Sequence, residues 1–259
     1  MPLILSKRAA AVNELMDAPD CDDELLYNTY VQFRTINILL SGWRFIYLLY
    51  LKPRMTDTSG DYTLLDIGFG GGDIPYYLAL WAEKDGINLH VTGIEKDPRA
   101  YAFAKGYYRH RKVSYRCAAL SDMVDEGLCF DFVINNNTVH HLSENELQRM
   151  MANTAKICTR YALFNDIERG DFAYGAFAIL SWLFYHKSYI CHDGKLSIKR
   201  SYTKKELCAI TPKGWIVKRL LPYRLLLIHE KTGENGVNKT ERGRKTNGKR
   251  GRAKITHYK

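Results

Sequence analysis

LLDIGFGGGD, from Leu64 to Asp73, sets two leucines and an acid against four glycines in five positions before helix-forming residues resume at Ile74. A buried strand that breaks into a tight turn and re-enters a helix has this pattern. Glycine is needed where the backbone takes φ > 0 or a ligand approaches with no Cβ in the way, and it costs chain entropy that a purely structural turn need not spend. The helix start behind the turn offers free N–H donors and a partial positive charge. At the carboxyl end of a parallel strand, this is the layout of a nucleotide-type cofactor site.

Downstream the pattern alternates. Strands are expected at Tyr62–Ile67, Asn88–Ile94, Val113–Cys117, Cys129–Asn135 and Tyr161–Asn165, with helices at Ile74–Lys84, Pro98–Tyr108 and Glu144–Cys158. Such alternation predicts an α/β fold, a parallel sheet with helices on both faces. Regularity pauses at 167–202, where an aromatic-rich segment (FAYGAFAILSWLFYH) precedes what reads as a polar loop, CHDGKLSIKRS. Thr203-Lys204-Lys205-Glu206 is a capping box opening a short helix. Trp215–Arg219 and Tyr223–His229 read as a final antiparallel pair of strands.

Upstream of the turn, residues 1–20 read as a loosely ordered lead. Asp20-Cys21-Asp22-Asp23 supplies an N-cap and first-turn acids for a helix from about Glu24. The run Ile36–Tyr50 is apolar nearly all round and reads as a second helix ended by Pro53. Its arginine Arg44, and Arg34 before it, either snorkel across apolar neighbours or wall the site and meet a carboxylate. The chain thus divides into an N-terminal helical cap (1–58), a catalytic domain (59–230) with a lid insert at about 167–202, and a tail (231–259).

The net charge of +10 suggests an acidic partner such as nucleic acid until it is located. The tail holds ten Lys/Arg and two Glu, +8 of the total, which leaves 28 basic against 26 acidic residues before it. With almost nothing to bury, the tail is expected to be disordered. Six cysteines without a CxxC pair, and no secretory signal, argue against a disulfide framework. The longest apolar stretch is interrupted by Arg44 and falls short of a membrane span, so a cytoplasmic protein is expected. Cys191-His192-Asp193 lacks partners at ligand spacing, and no metal is expected.

A nicotinamide site usually shows GxGxxG, whereas this turn is GxGxG with an acid two residues before it. That pattern resembles motif I of the class I S-adenosylmethionine-dependent methyltransferases. The resemblance extends to Glu95, 27 residues after Gly68 in VTGIEKDPRA, to the fourth-strand segment DFVINNNTVHHL, and to the closing pair of strands. It implies a Rossmann-like, seven-stranded, mostly parallel sheet, and S-adenosyl-L-methionine as cofactor. It also implies a cofactor site built from Asp66, Gly68, Phe69, Gly70, Gly72, Glu95, Lys96, Ala119, Leu120, Asn135 and Asn136. Asp66 would sit under the glycine turn near the methionine moiety, and Glu95 would take the ribose hydroxyls. Many relatives carry an acid after the third strand to read adenine. Here that segment is Cys117-Ala118-Ala119-Leu120-Ser121-Asp122, so either the backbone of Ala119 and Leu120 or the side chain of Asp122 would serve. Asp73 reads as an ordinary first-turn acid.

Methyl transfer from an activated donor asks the protein to align a nucleophile and remove its proton. His140 and His141, beyond the fourth strand, are candidate bases because histidine titrates near neutral pH. Adjacent residues entering a helix are not expected to face one pocket together. Asp166, ending the fifth strand, is the next candidate, and His186 and His192 in the insert read as surface groups. Similarity to ubiquinone/menaquinone-type and bacterial secondary-metabolite O-methyltransferases, the latter through Tyr30, Phe33 and Asn37 in YxxFxxxN, implies a phenolic, quinone-like or polyketide-like acceptor. The aromatics Phe172, Tyr174, Phe177, Trp182, Phe184, Tyr185 and Tyr189, with Trp43, Phe45 and Tyr47, suit a lipophilic acceptor or fill a core beneath a lid. RNA or protein methylation steered by the basic tail is the alternative. The chain shows no folded RNA-binding module, however, and has Asn135-Asn136-Asn137-Thr138 in place of the Asn/Asp-Pro-Pro-aromatic loop of amino-methylating enzymes. A non-catalytic cofactor-binding partner is a third reading.

Overall fold

The computed structural model describes residues 2–56 and 60–231. The tail expected at 231–259 therefore falls, from residue 232, outside the described residues. Seven strands form one sheet in the order β3-β2-β1-β4-β5-β7-β6. They are β1 (Asp61–Ile67), β2 (Asn88–Glu95), β3 (Val113–Cys117), β4 (Phe130–Asn136), β5 (Cys158–Ile167), β6 (Trp215–Leu220) and β7 (Arg224–Glu230). Strands β1 to β5 pair in parallel, and β7 runs antiparallel to both β5 and β6. The Rossmann-like α/β fold with a terminal antiparallel hairpin is therefore the one observed.

Strand alternation sorts the core into two layers. Leu64, Phe132, Ile134 and Leu226 pack on one face of the sheet, and Leu65, Val133, Phe164 and Leu227 on the other. The central strands are apolar on both faces because helices cover both. These are α3 (Asp73–Lys84), α4 (Pro98–Tyr107), α5 (Leu120–Asp125) and α6 (Glu144–Ile157) along the sheet, and α9 (Lys204–Ile210) before β6. Three helices more lie at the carboxyl end of the sheet or before it: α1 (Asp23–Leu39), α7 (Asp171–Phe184) and α8 (Ile190–Arg200).

Three local expectations are corrected. The apolar run Ile36–Tyr50 is not one helix. α1 stops at Leu39, Gly42 takes a left-handed φ of 67°, and α2 (Trp43–Ile46) restarts the chain into a π-helical turn and a 3-10 turn containing Pro53. A residue free of a Cβ permits that break. Trp43 and Tyr47 are buried in the main core, not over the site. Arg34 stacks over Tyr77 and Arg44 over Trp81, which is the packing reading of the two arginines. Secondly, CHDGKLSIKRS is not a loop but most of α8, which buries Ile190, Asp193, Leu196, Ser197 and Arg200 at helical spacing. Gly194 allows its close contact with α7, since a Cβ there would stand 2.4 Å from the Phe177 ring.

Thirdly, the N-terminal lead is tied down. The backbone N–H groups of Leu3, Ile4 and Leu5 donate to Asp171, those of Leu15 and Met16 donate to Asp193, and Arg8 donates to the carbonyls of His140 and Leu142. These partners lie more than 130 residues away, so no local pattern announces them.

Candidate active site

Strand order reverses between β1 and β4, and at such a switch point the loops part to leave a crevice at the carboxyl end of the sheet. The turn after β1 enters it. Gly68 and Gly70 have φ of 71° and 54°, and the Gly70 N–H donates to Glu95 Oε2 at 3.1 Å. A Cβ on Gly70 would meet only the Phe33 ring of α1, 3.8 Å away, so this glycine faces open space. Gly72, with φ of 82°, is required by packing instead, because a Cβ there would lie 2.5 Å from Ala104 Cβ.

Beneath the turn, Asp66 is 1% exposed and neither carboxylate oxygen has a hydrogen-bond partner among the described residues. Burial pushes its pKa well above the usual carboxylate range, assisted by Asp73 and Glu95. A buried carboxyl without a partner is costly unless a donor or cation meets it. Glu95, at the end of β2, accepts from Gly70 and from the Lys96 N–H, and its remaining lone pairs suit a diol.

A cavity of about 560 Å³ runs from this turn across to the inner faces of α7 and α8. Of the residues expected from sequence, Gly68, Phe69, Gly70, Glu95, Asn136, His140 and His141 line it. Asp66, Gly72, Asn135 and Asp166 stand behind that lining. Asn135 donates to the Ile67 carbonyl at 2.6 Å. Lys96 is exposed and contributes its backbone N–H to Glu95. Ala119 and Leu120 start α5 outside the cavity, and Asp122 accepts from the Ala119 N–H, a helix-capping bond. Phe172 and Phe177 line the far chamber, Phe172 from its exposed rim, and Trp182 and Phe184 are exposed outside the lining. His186 and His192 lie outside the lining.

The two histidines share the cavity, contrary to expectation. They occupy a 3-10 turn, Val139–His141, with ring centroids 4.3 Å apart. His140 is buried, its Nδ1 is 2.7 Å from Asp166 Oδ1, and its backbone N–H donates to Asp166 Oδ2. Its Nε2 stands 3.5 Å from Glu14 Oε1, too long for a well-made hydrogen bond. Although burial opposes its charge, Asp166 and Glu14 hold His140 up to about 9. Burial and the charge of His140 push His141 down to about 4.

Sequence reading gave no site role to four further groups, Asp73, Asn37, Arg224 and Glu14. Asp73 is buried and accepts from Asn37 Nδ2 through both oxygens at 3.1 Å, and burial raises it to about 6. Asn37 also accepts from Asn136 at 2.9 Å, which joins α1 to β4. Arg224, buried at the start of β7, donates to Asn165, Asn136 and Asn137. Only Asn37 had a signal, its place after Tyr30 and Phe33 in one pattern. Glu14 had none.

Residues 64–160 match the family model described as a methyltransferase domain. Over 95 residues the chain is 30% identical to the release factor glutamine methyltransferase of Pasteurella multocida, and the match covers 34% of this chain. It spans about a third (32%) of the length of that curated relative. The solved structure of the plantazolicin methyltransferase BpumL in complex with SAH superposes on 80% of this chain and 95% of its own, with a TM-score of 0.56 and 11% identity. A candidate O-methyltransferase from Nostoc punctiforme PCC 73102 superposes on 78% of this chain and 60% of its own, with a TM-score of 0.52 and 13% identity. At such identities the likeness is one of fold.

Proposed function

We propose that this chain, a class I S-adenosylmethionine-dependent methyltransferase, methylates a hydroxyl oxygen of a lipophilic phenolic, quinone-like or polyketide-like small molecule. The observation that carries the reading is the single cavity. Its polar end holds the glycine turn and Glu95, its far end is apolar (Phe172, Ala176, Phe177, Leu180), and the two histidines lie between. Residues 59–230 would supply the catalytic domain, with the residues before them as a cap and 167–202 as a lid.

The residues at the polar end fit the cofactor. An orphaned buried carboxyl at Asp66 suits an ammonium group, and Glu95 suits a ribose diol. S-adenosylmethionine supplies, when bound, a methyl group on a sulfonium that is already activated for in-line displacement. The protein then has to orient an acceptor hydroxyl and take its proton. His141 is the neutral member of the pair at pH 7 and faces the cavity, so it takes the proton. His140 stays protonated on Asp166 and Glu14, and its charge favours the acceptor oxygen as an anion. Phe177, with Ala176, gives the acceptor an apolar wall.

The test is label transfer from methyl-labelled S-adenosylmethionine to a panel of phenols and quinols, with RNA and protein fractions assayed in parallel. Label in the organic phase is expected. His141→Ala should lower kcat by roughly 10²–10⁴, the usual worth of a general base. It should also remove the acid limb of the pH profile. Label confined to RNA or protein would overturn the small-molecule reading.

A further inference from the structure

The two histidines are turned alike, although only His140 is hydrogen-bonded through Nδ1, and neither the donor turn nor the base role explains it. Each has a carboxylate on Nδ1: Asp166 Oδ1 on His140 at 2.7 Å, and Asp17 Oδ2 on His141 at 3.6 Å. Each turns Nε2 toward one oxygen, Glu14 Oε1, at 3.5 Å from His140 and 3.7 Å from His141. All three ligand atoms lie within 4.8 Å of one another. Ligands 2.0–2.1 Å from a tetrahedral ion stand about 3.4 Å apart, close to the two separations from Glu14 Oε1.

Two further features distinguish a ligand set from a chance cluster. His140 is 2% exposed, and its Nε2 has no hydrogen-bond partner among the described residues, so a buried polar atom aims into the triangle unsatisfied. Glu14 is 6% exposed and accepts from Ser197 Oγ at 2.7 Å, which fixes the carboxylate. The Asp166 carboxylate on the distal nitrogen of His140, and the Ser197 hydrogen bond on the ligating acid, are the kind of outer-shell support that orients metal ligands. All three residues line the cavity, so a fourth coordination position faces the acceptor chamber.

We infer that Glu14, His140 and His141 form a binding site for a divalent transition-metal ion. Two imidazoles and a carboxylate suit Zn2+, or Fe2+ where open positions remain. The ion occupies both Nε2 atoms, so in this form neither imidazole takes a proton. An acceptor hydroxyl at the fourth position then loses its proton to water at a lower pH. That last consequence rests on the proposed function; binding of the ion does not.

The experiment titrates Co2+ into the full-length, untagged, metal-stripped chain, reads the visible absorption of the bound ion, and competes it with Zn2+. One ion per chain is expected. Glu14→Ala and His141→Ala, each shown folded by circular dichroism, should weaken binding at least a hundredfold. Ser197→Ala should weaken it by about tenfold, as loss of a supporting partner does. Absence of saturable binding in the wild type, or binding unchanged in both Glu14→Ala and His141→Ala, would overturn the site. S-adenosylhomocysteine affinity of the wild type, measured on the same preparation, reports separately on the methyltransferase reading.

Discussion

At the scale of single residues, two glycines of one turn have different reasons to be glycine. Gly70→Val adds bulk in open space before Glu95, so S-adenosylhomocysteine affinity should fall at least a hundredfold in calorimetry. The fold survives, because a left-handed residue with a side chain costs about 1–2 kcal/mol. Gly72→Ala does the opposite: its Cβ collides with Ala104, and overpacking of about 1–3 kcal/mol adds to the backbone strain. Its melting temperature should drop further than that of Gly70→Val. The His140–Asp166 pair gives a pH signature. A histidine raised to about 9 from its ordinary 6.5 contributes stability that is full below pH 6.5 and lost as pH rises through 9. Asp166→Asn should therefore cost roughly 3–5 kcal/mol in urea unfolding at pH 6.5, as expected on breaking a buried pair. The gap to wild type should narrow towards pH 9. A gap independent of pH would mean that His140 is neutral in the folded chain. The turn and Glu95 were legible in sequence because strand, glycine and acid recur within one βαβ unit. Asp73 was not, since its partner Asn37 comes from a different helix.

At the scale of elements, the sheet strands agree with the sequence to within three residues at either end, because their apolar runs are bounded by turn residues. The carboxyl-end helices agree less well. α8 hid behind polar letters: Asp193, Ser197 and Arg200 are buried in it, and Asp193 and Ser197 are polar for partners that only tertiary structure supplies. Asp193 takes two backbone N–H groups of the N-terminal segment. Hydrogen bonds to a charged acceptor are worth about 1.5–3 kcal/mol each, so Asp193→Asn should loosen residues 2–17 without melting the sheet. Hydrogen exchange should quicken at Leu15 and Met16 and stay slow in β1 and β4. Equal exchange in variant and wild type would mean that other contacts hold the segment.

At the scale of the whole molecule, none of the helices among the described residues is long and apolar enough to cross a membrane. The basic residues that dominate the net charge lie almost entirely outside the described residues. Removing residues 231–259 should leave turnover of a small acceptor within about twofold, the proposed chemistry residing in the cavity, whereas a tenfold loss on an RNA acceptor would identify the tail as its binding element. The parallel sheet and the cofactor end of the cavity follow from patterns spaced within tens of residues. The other end does not: Glu14 meets Ser197 across 183 positions, and Leu3 meets Asp171 across 168. Contacts of such separation form late, since loop closure must precede them. Residues 3–16 are thus among the last to find their place, and they wait until α7 and α8, whose side chains hold them, have been made. Until then the sheet can be complete and the histidines still open to water. Assembly of the chain and readiness of its chemistry are separate events.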